Sequence, residues 1–343
     1  MKTSASLSHI SGVVFLTAVS TLCSAQTSYS ITDLGTIHTN GYSVAKGVNA
    51  TAEVTGASGS NDSNQSEIFS YSDGVMTNLG TLGGDSGIGN GINASGQVAG
   101  YSTNSEGTYR AFLATDGVLA DIGDLGGGSA VAYALNDSGQ VVGSAVTSSG
   151  SNHPFLYSDG VMTDLGTLGS PEGNLFWNSA QGVNSSGTVA GTSYDAQGNF
   201  LAFSWSNGKM TKMGTLGGHW SQGYAINNKG QVTGLAYTKS GGAHAFLANC
   251  ATCKLKDLAP AGSNTTSWGF AINDSGVVVG QFTIGDTYHA FVYSGGKLKD
   301  LNSMIPAKSG WVLTEANGIN ASGQIVGMGT IKGAEHGYLL TPQ

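Results

Sequence analysis

Short apolar runs alternate with turn residues along the whole chain, and few stretches carry enough consecutive side chains for a long helix. Typical runs are Gln97-Val98-Ala99-Gly100, Ala111-Phe112-Leu113 and Met162-Thr163-Asp164-Leu165, with turn residues such as Asp116-Gly117 and Gly166 within the next few positions. That pattern predicts short β-strands joined by tight turns. The runs also repeat. A tetrad ending in Asn occurs seven times: Lys46-Gly47-Val48-Asn49, Asn90-Gly91-Ile92-Asn93, Tyr133-Ala134-Leu135-Asn136, Gln181-Gly182-Val183-Asn184, Tyr224-Ala225-Ile226-Asn227, Phe270-Ala271-Ile272-Asn273 and Asn317-Gly318-Ile319-Asn320. Successive Asn residues are 44, 43, 48, 43, 46 and 47 positions apart. After each Asn come a turn, a β-rich run, a polar loop, an aromatic run, a second turn and a fourth run.

Four short strands in about 45 residues is the arithmetic of a propeller blade. The expected fold is therefore all-β, a seven-bladed β-propeller of four-stranded blades. The Asn-ending strand, lined by Gly and Ala, suits the crowded axis, and the aromatic strand suits the outer wedge. A β-solenoid is the alternative, with shorter coils and fewer turns. The last repeat stops after its third run, His336 to Leu340, and Ile31-Thr32-Asp33-Leu34-Gly35 near the N-terminus supplies the missing fourth. Pairing of these two segments would close the ring.

Composition narrows the class. The 343 residues include 55 Gly and 5 Pro, with 39% apolar and only 10% charged, against averages of about 7% Gly and about 25% charged. Low charge with ample apolar content argues against disorder, and Gly disfavours helix interiors by about 1 kcal/mol each. The formal charge of −8 on an Arg-poor surface does not suit nucleic acid, which demands clustered cations. Lys2 followed by the apolar stretch Ser11 to Leu22 reads as a secretory leader, shorter than the ~20 residues of a membrane span. Cleavage after Ala25 places Cys23 third from the cut, and a lipoprotein reading of Cys23 is weaker because Leu22 precedes it. The expectation is a leader over 1–25 and one propeller domain over 26–343, secreted or periplasmic, monomeric, with no transmembrane segment.

The chain resembles the HAF family of extracellular repeats, on the strength of His244-Ala245-Phe246, His289-Ala290-Phe291 and the Leu79-Gly80-Thr81-Leu82-Gly83-Gly84 type of segment. Arg110-Ala111-Phe112, His153-Pro154-Phe155, Leu201-Ala202-Phe203 and His336-Gly337-Tyr338 depart from that name. The resemblance implies export and a repeated β architecture, and no particular chemistry.

Eleven residues after the His position stands the Asp of the next run: His153 with Asp164 and His289 with Asp300. His244 with Asp257 is two longer, and His336 would meet Asp33 across the closure. Arg110 faces Asp121, Glu67 faces Asn78, and Leu201 faces Lys212. A two-residue turn at Asp159-Gly160 sets Phe155 opposite Asp164 with His153 diagonal on the same face. These pairs read as partly buried locks between outer strands. One His per repeat cannot converge on a metal ion, so no metal or other cofactor is expected. Cys250 and Cys253 would face each other across a hairpin turn, and a small disulfide is the leading reading for an exported chain.

The segments leading into the first strand hold Tyr42, Trp177, Trp220, Trp268 and Trp311 in repeats one and four to seven, with His219 beside Trp220, whereas those of repeats two and three are Gly/Ser-rich and carry no aromatic. The rings form an arc that either plugs the axial channel or offers flat faces to a saccharide or other polymer. Glu172, Asp195 and Glu315 lie in the same loop sets, and two facing carboxylates would be needed for glycoside hydrolysis. The expected function is a non-catalytic binding or scaffold propeller for an extracellular glycan, polymer or protein. A glycan-active hydrolase or lyase is one alternative, and a protein–protein adhesion module is another.

Overall fold

A computed structural model of the chain describes Met1 and residues 28–63, 65–170, 177–259 and 265–343. The leader segment, Cys23 and Glu172 fall outside these. The described chain is built of β-strands and one 3-10 turn, Leu301–Ser303. Repeat three shows the unit: Gly126–Leu135, Val141–Thr147, Asn152–Ser158 and Val161–Asp164 lie side by side in chain order, antiparallel throughout. Five sheets have four strands. An eight-stranded sheet contains the strands of repeats one and two, which meet through a single parallel bridge, Ser66 to Ser86.

The ends of the chain meet in one sheet. Tyr29–Asp33 runs antiparallel to Ala334–Pro342, with Tyr29 opposite Pro342 and Asp33 opposite Tyr338. The pairing begins two residues before Ile31, because Tyr29 is buried and its N–H donates to the Met304 carbonyl at 2.9 Å.

Local chemistry explains the strands. The hairpins Asp73-Gly74, Asp116-Gly117 and Asp159-Gly160 have positive φ at both positions, 52° at each Asp, the conformation that matches strand twist in two-residue hairpins. In the third strand of each repeat one aromatic is fully buried: Phe69, Phe112, Phe155, Phe203, Phe246, Phe291 and Tyr338. Each stands opposite a glycine of the second strand, as Phe203 does Gly191. A Cβ on Gly191 would run into the Ser179 carbonyl and lie 2.8 Å from the Phe203 ring. The missing side chain is what admits the ring.

The seven Asn residues form the axial seam. The Asn136 Oδ1 accepts the N–H groups of Ser138 and Gln140 at 3.1 and 3.0 Å, which holds its own turn. Its Nδ2 donates to the Asn184 carbonyl of the next repeat at 2.9 Å. The same donation runs from Asn49 to Asn93, on to Asn136, Asn184, Asn227, Asn273 and Asn320, and back to Asn49, at 2.9–3.2 Å. These are buried polar groups that satisfy one another in a closed circuit.

The first residue of each tetrad is a β-bulge, marked by a register shift such as that between Ala132 and Ala134 around Tyr133. Equivalent shifts flank Lys46, Asn90, Gln181, Tyr224, Phe270 and Asn317. These bulged residues line a central cavity of about 250 Å³.

Candidate functional site

The axial cavity is lined by the bulged residues and by no tryptophan. Tyr224 and Phe270 pack with centroids 5.9 Å apart, and the Tyr224 hydroxyl donates to Gln222. Burial pushes the Tyr133 and Tyr224 hydroxyls up, with smaller contributions from Tyr101 and Tyr237 respectively. Lys46 meets Glu315 at 3.4 Å, and Glu315 also accepts from the Asn317 amide at 2.7 Å. Glu315 is thereby committed to two residues of the channel lining. Asp195 is buried in a turn, accepting from the N–H groups of Gln197 and Asn199 and from the Asn199 amide at 2.9–3.1 Å. Burial alone would raise its carboxyl. The Asn199 and Gln197 hydrogen bonds and the charge of Lys212 outweigh burial and hold it below the usual range.

On the outer strands, Nδ1 of His153, His244, His289 and His336 lies 2.8–2.9 Å from Asp164, Asp257, Asp300 and Asp33. Their carboxylates are 25–40% exposed, and only His244, at 9%, is nearly enclosed. The imidazoles are 9–25% exposed, so the pairs are partly buried, each with its carboxylate on the solvent side. Arg110 bridges Asp121 and Asp124 at 2.7 and 2.8 Å. Glu67 does not meet Asn78; it pairs with His38 at 2.6 Å, and Asn78 accepts from the Gly80 N–H instead. Cys250 and Cys253 form a disulfide across their turn.

The tryptophans part company. Trp177 is 70% exposed and Trp220 46%, while Trp268 is half-buried and pairs with Tyr288 at 6.1 Å. Tyr42 is half-buried. Trp311 is buried in the core of the last sheet against Tyr338, centroids 6.1 Å apart. That corrects its assignment to an open arc. A second register shift in repeat seven, between Leu313 and Glu315, changes which face the upstream residues present. Among the described residues no two tryptophan rings are in contact.

Trp220 instead joins a run of rings that crosses from repeat four to repeat five. Tyr194 meets Phe200 at 4.6 Å, Phe200 meets Trp220 at 6.5 Å, and Trp220 meets Tyr237 at 5.8 Å, the last two edge to face. Beside them opens a groove of about 970 Å³ lined by Asn199, His219, Trp220, Tyr237, Thr238, Lys239, Ser240 and three glycines. Its lining offers amide, hydroxyl, imidazole and ammonium groups and no carboxylate. Sequence reasoning missed Asn199, Tyr237 and Lys239. The available signal was Tyr194 and Tyr237, an aromatic at the same place in the second strand of consecutive repeats.

Four-stranded meanders tied in a circle by their innermost turns define a β-propeller. The sequence matches no family model and no curated protein. Among solved structures, the β-propeller domain of the Trilobed protease from Pyrococcus furiosus is similar, with TM-score 0.57 at 9% identity over 88% of this chain and 97% of that one. That domain has an open velcro topology, whereas here Tyr29–Asp33 completes the last sheet. YCF48 bound to D1 peptide gives 0.52 at 11% identity, covering 91% and 95%. A Mycobacterium tuberculosis puromycin-hydrolyzing peptidase gives 0.57 at 13% identity over 84% of this chain, which spans about half (48%) of that peptidase. At such identities the likeness is one of fold.

Proposed function

We propose that the chain is an exported seven-bladed propeller of the HAF-repeat kind that binds an extracellular saccharide or other polymer in the groove beside Trp220. The count of seven blades takes the eight-stranded sheet as two units, a reading supported by the single bridge that joins its halves. The leader-like N-terminus supports export, and the Cys250–Cys253 disulfide is at home in an oxidising compartment.

The observation that carries the binding reading is a half-exposed indole held by Phe200 and Tyr237 along a groove of ligand size. Rigid rings stack on sugar or other flat apolar faces, while Asn199, Ser240 and Lys239 offer hydrogen bonds at the edge. Hydrolysis of a glycosidic bond needs a carboxyl pair at the bond. Glu315 is engaged by Lys46 and Asn317, and Asp195 is tied up in its own turn against Asn199 of the groove wall, so neither carboxyl lines the groove. The reading is therefore binding without turnover.

The test is a glycan and polymer array probed with the wild type and with Trp220→Ala combined with Tyr237→Ala. Loss of the two rings should weaken the retained ligand about tenfold or more, since one aromatic contact contributes up to ~1.5 kcal/mol beyond its buried area. Equal binding by both proteins, or none by either, removes the proposal. Shortening of a bound polymer by the wild type would overturn the non-catalytic reading.

A further inference from the structure

Charge is divided between two arcs of the ring. Residues 28–170 hold thirteen carboxylates and two cations, Lys46 and Arg110, whereas residues 171–343 hold eight carboxylates and ten lysines. The division is sharpest at the outer hairpins. Repeats one to three turn on Asp73-Gly74-Val75, Asp116-Gly117-Val118 and Asp159-Gly160-Val161. In repeats four and six, Lys209 and Lys297 occupy the register position of those valines, opposite Ser206 and Ser294 as Val161 is opposite Ser158. Repeat five has Lys254 in the corresponding place, two residues before the Lys256 that pairs with Leu247.

Val75, Val118 and Val161 are 62, 70 and 63% exposed. Three β-branched apolar residues at equivalent points of adjacent outer strands are unusual, since edge strands are normally guarded by charge, Lys above all. In this molecule the guard stands on the opposite arc. Because each meander is antiparallel, its third-to-fourth turn lies at the same end as its Asn turn. All these tips therefore share one face. Turning a copy by 180° about an axis in that face, along the line between the arcs, sets each acidic, valine-bearing arc over the other copy's lysines. Both contacts form at once, and the interface is isologous.

We propose that this hairpin face binds a second copy of the chain, with the Asp-Gly-Val tips of repeats one to three seated on the lysine tips of repeats four to six. The inference is independent of the Trp220 groove, which lies among the loops of the opposite face.

Sedimentation velocity on the purified protein tests it. At low ionic strength the mass should be that of a dimer, and dissociation should become at least tenfold easier at about 0.5 M salt, where exposed charges are screened within a few ångströms. The triple variant Val75→Lys, Val118→Lys, Val161→Lys should be monomeric, as should Lys209→Glu, Lys254→Glu, Lys297→Glu. An equimolar mixture of the two should regain the dimer, because each altered arc then faces its complement. A wild type that stays monomeric at low salt overturns the proposal, as do triple variants that each remain dimeric, or a mixture that stays monomeric. Retention of a monomeric wild type on dextran sulfate, lost in the Lys→Glu variant, would assign the lysine arc to a polyanion instead.

Discussion

Replacing Asn184 by Asp exchanges one amide nitrogen for an oxygen and leaves the turn intact. The Asn184 Oδ1 accepts from the Ser186 N–H, the Ser186 hydroxyl and the Thr188 N–H at 3.1, 2.8 and 3.0 Å, and a carboxylate can keep all three. The Nδ2 does one thing only: it donates to the Asn227 carbonyl at 3.1 Å. In Asn184→Asp two oxygens face each other at that site, which is 6% exposed. The lost bond contributes about 1 kcal/mol and the unfavourable buried contact about 1–3 kcal/mol more. The expected loss is about 2–4 kcal/mol at pH 7, or a fall in Tm of roughly 3–6 °C for a chain of this size. Burial and the facing carbonyl hold the introduced carboxyl above its unfolded value of about 3.9. Its protonated form can donate as the amide did, so the deficit should shrink as pH falls toward that value. Urea unfolding followed by circular dichroism at neutral and mildly acidic pH reads both effects. A variant melting within about 1 °C of wild type at pH 7, or a deficit that grows on acidification, would refute the reasoning about the ring.

Three further outcomes follow from the same structure. Gly191→Ala should destabilise by about 1–3 kcal/mol or more through overpacking, because its Cβ meets the Ser179 carbonyl and the Phe203 ring; a thermal melt equal to wild type would show that the Gly–Phe key is dispensable. Asp195 has a folded pKa below its unfolded one, so its contribution is complete above about 3.9 and is lost as pH falls through the folded value. Melting of Asp195→Asn should thus approach wild type as the pH is lowered, and a gap that stays constant from neutral pH into the acid limb would contradict the assignment. His289→Leu should lose only about 1 kcal/mol, since Asp300 stays 25% open to solvent and keeps the Asn302 N–H and amide at 2.8 and 3.0 Å; a loss of about 3–5 kcal/mol would mean an orphaned buried charge.

The β architecture and the meeting of the chain ends were legible because they rest on short-range chemistry repeated many times. An Asx turn at each Asn, a two-residue hairpin at Asp159-Gly160 and a glycine opposite each aromatic all fix register within a few residues. The faces of individual side chains were harder to read, because each bulge resets the two-residue period. Tyr42, Trp177 and Trp220 stand seven residues before their Asn, but Trp268 stands five before and Trp311 nine before. The extra shift at Leu313–Glu315 then turned Trp311 inward. The channel lining was hidden for the same reason: Lys46, Tyr133, Tyr224 and Phe270 occupy the varying first place of the tetrad, and only the bulge sends them to the axis. The Trp220 groove depends on Phe200 from one repeat reaching a ring in the next, a contact that no spacing within a repeat records.

The union of Tyr29–Asp33 with Ala334–Pro342 gives the circle a seam. The Gln343 N–H donates to the Ser28 carbonyl at 2.8 Å, so two residues 315 positions apart in sequence are hydrogen-bonded neighbours. Closing a loop of about 300 residues costs roughly 5 kcal/mol of chain entropy beyond a fixed constant, and that cost falls on this one sheet, whereas every other sheet is assembled from hairpins. A circular permutant that joins 343 to 28 and opens at the Asp159-Gly160 tip would make the present seam a hairpin and move the long-range step to repeat three. The ring has a weak link by connectivity, not by composition, and its position along the circle is free to change.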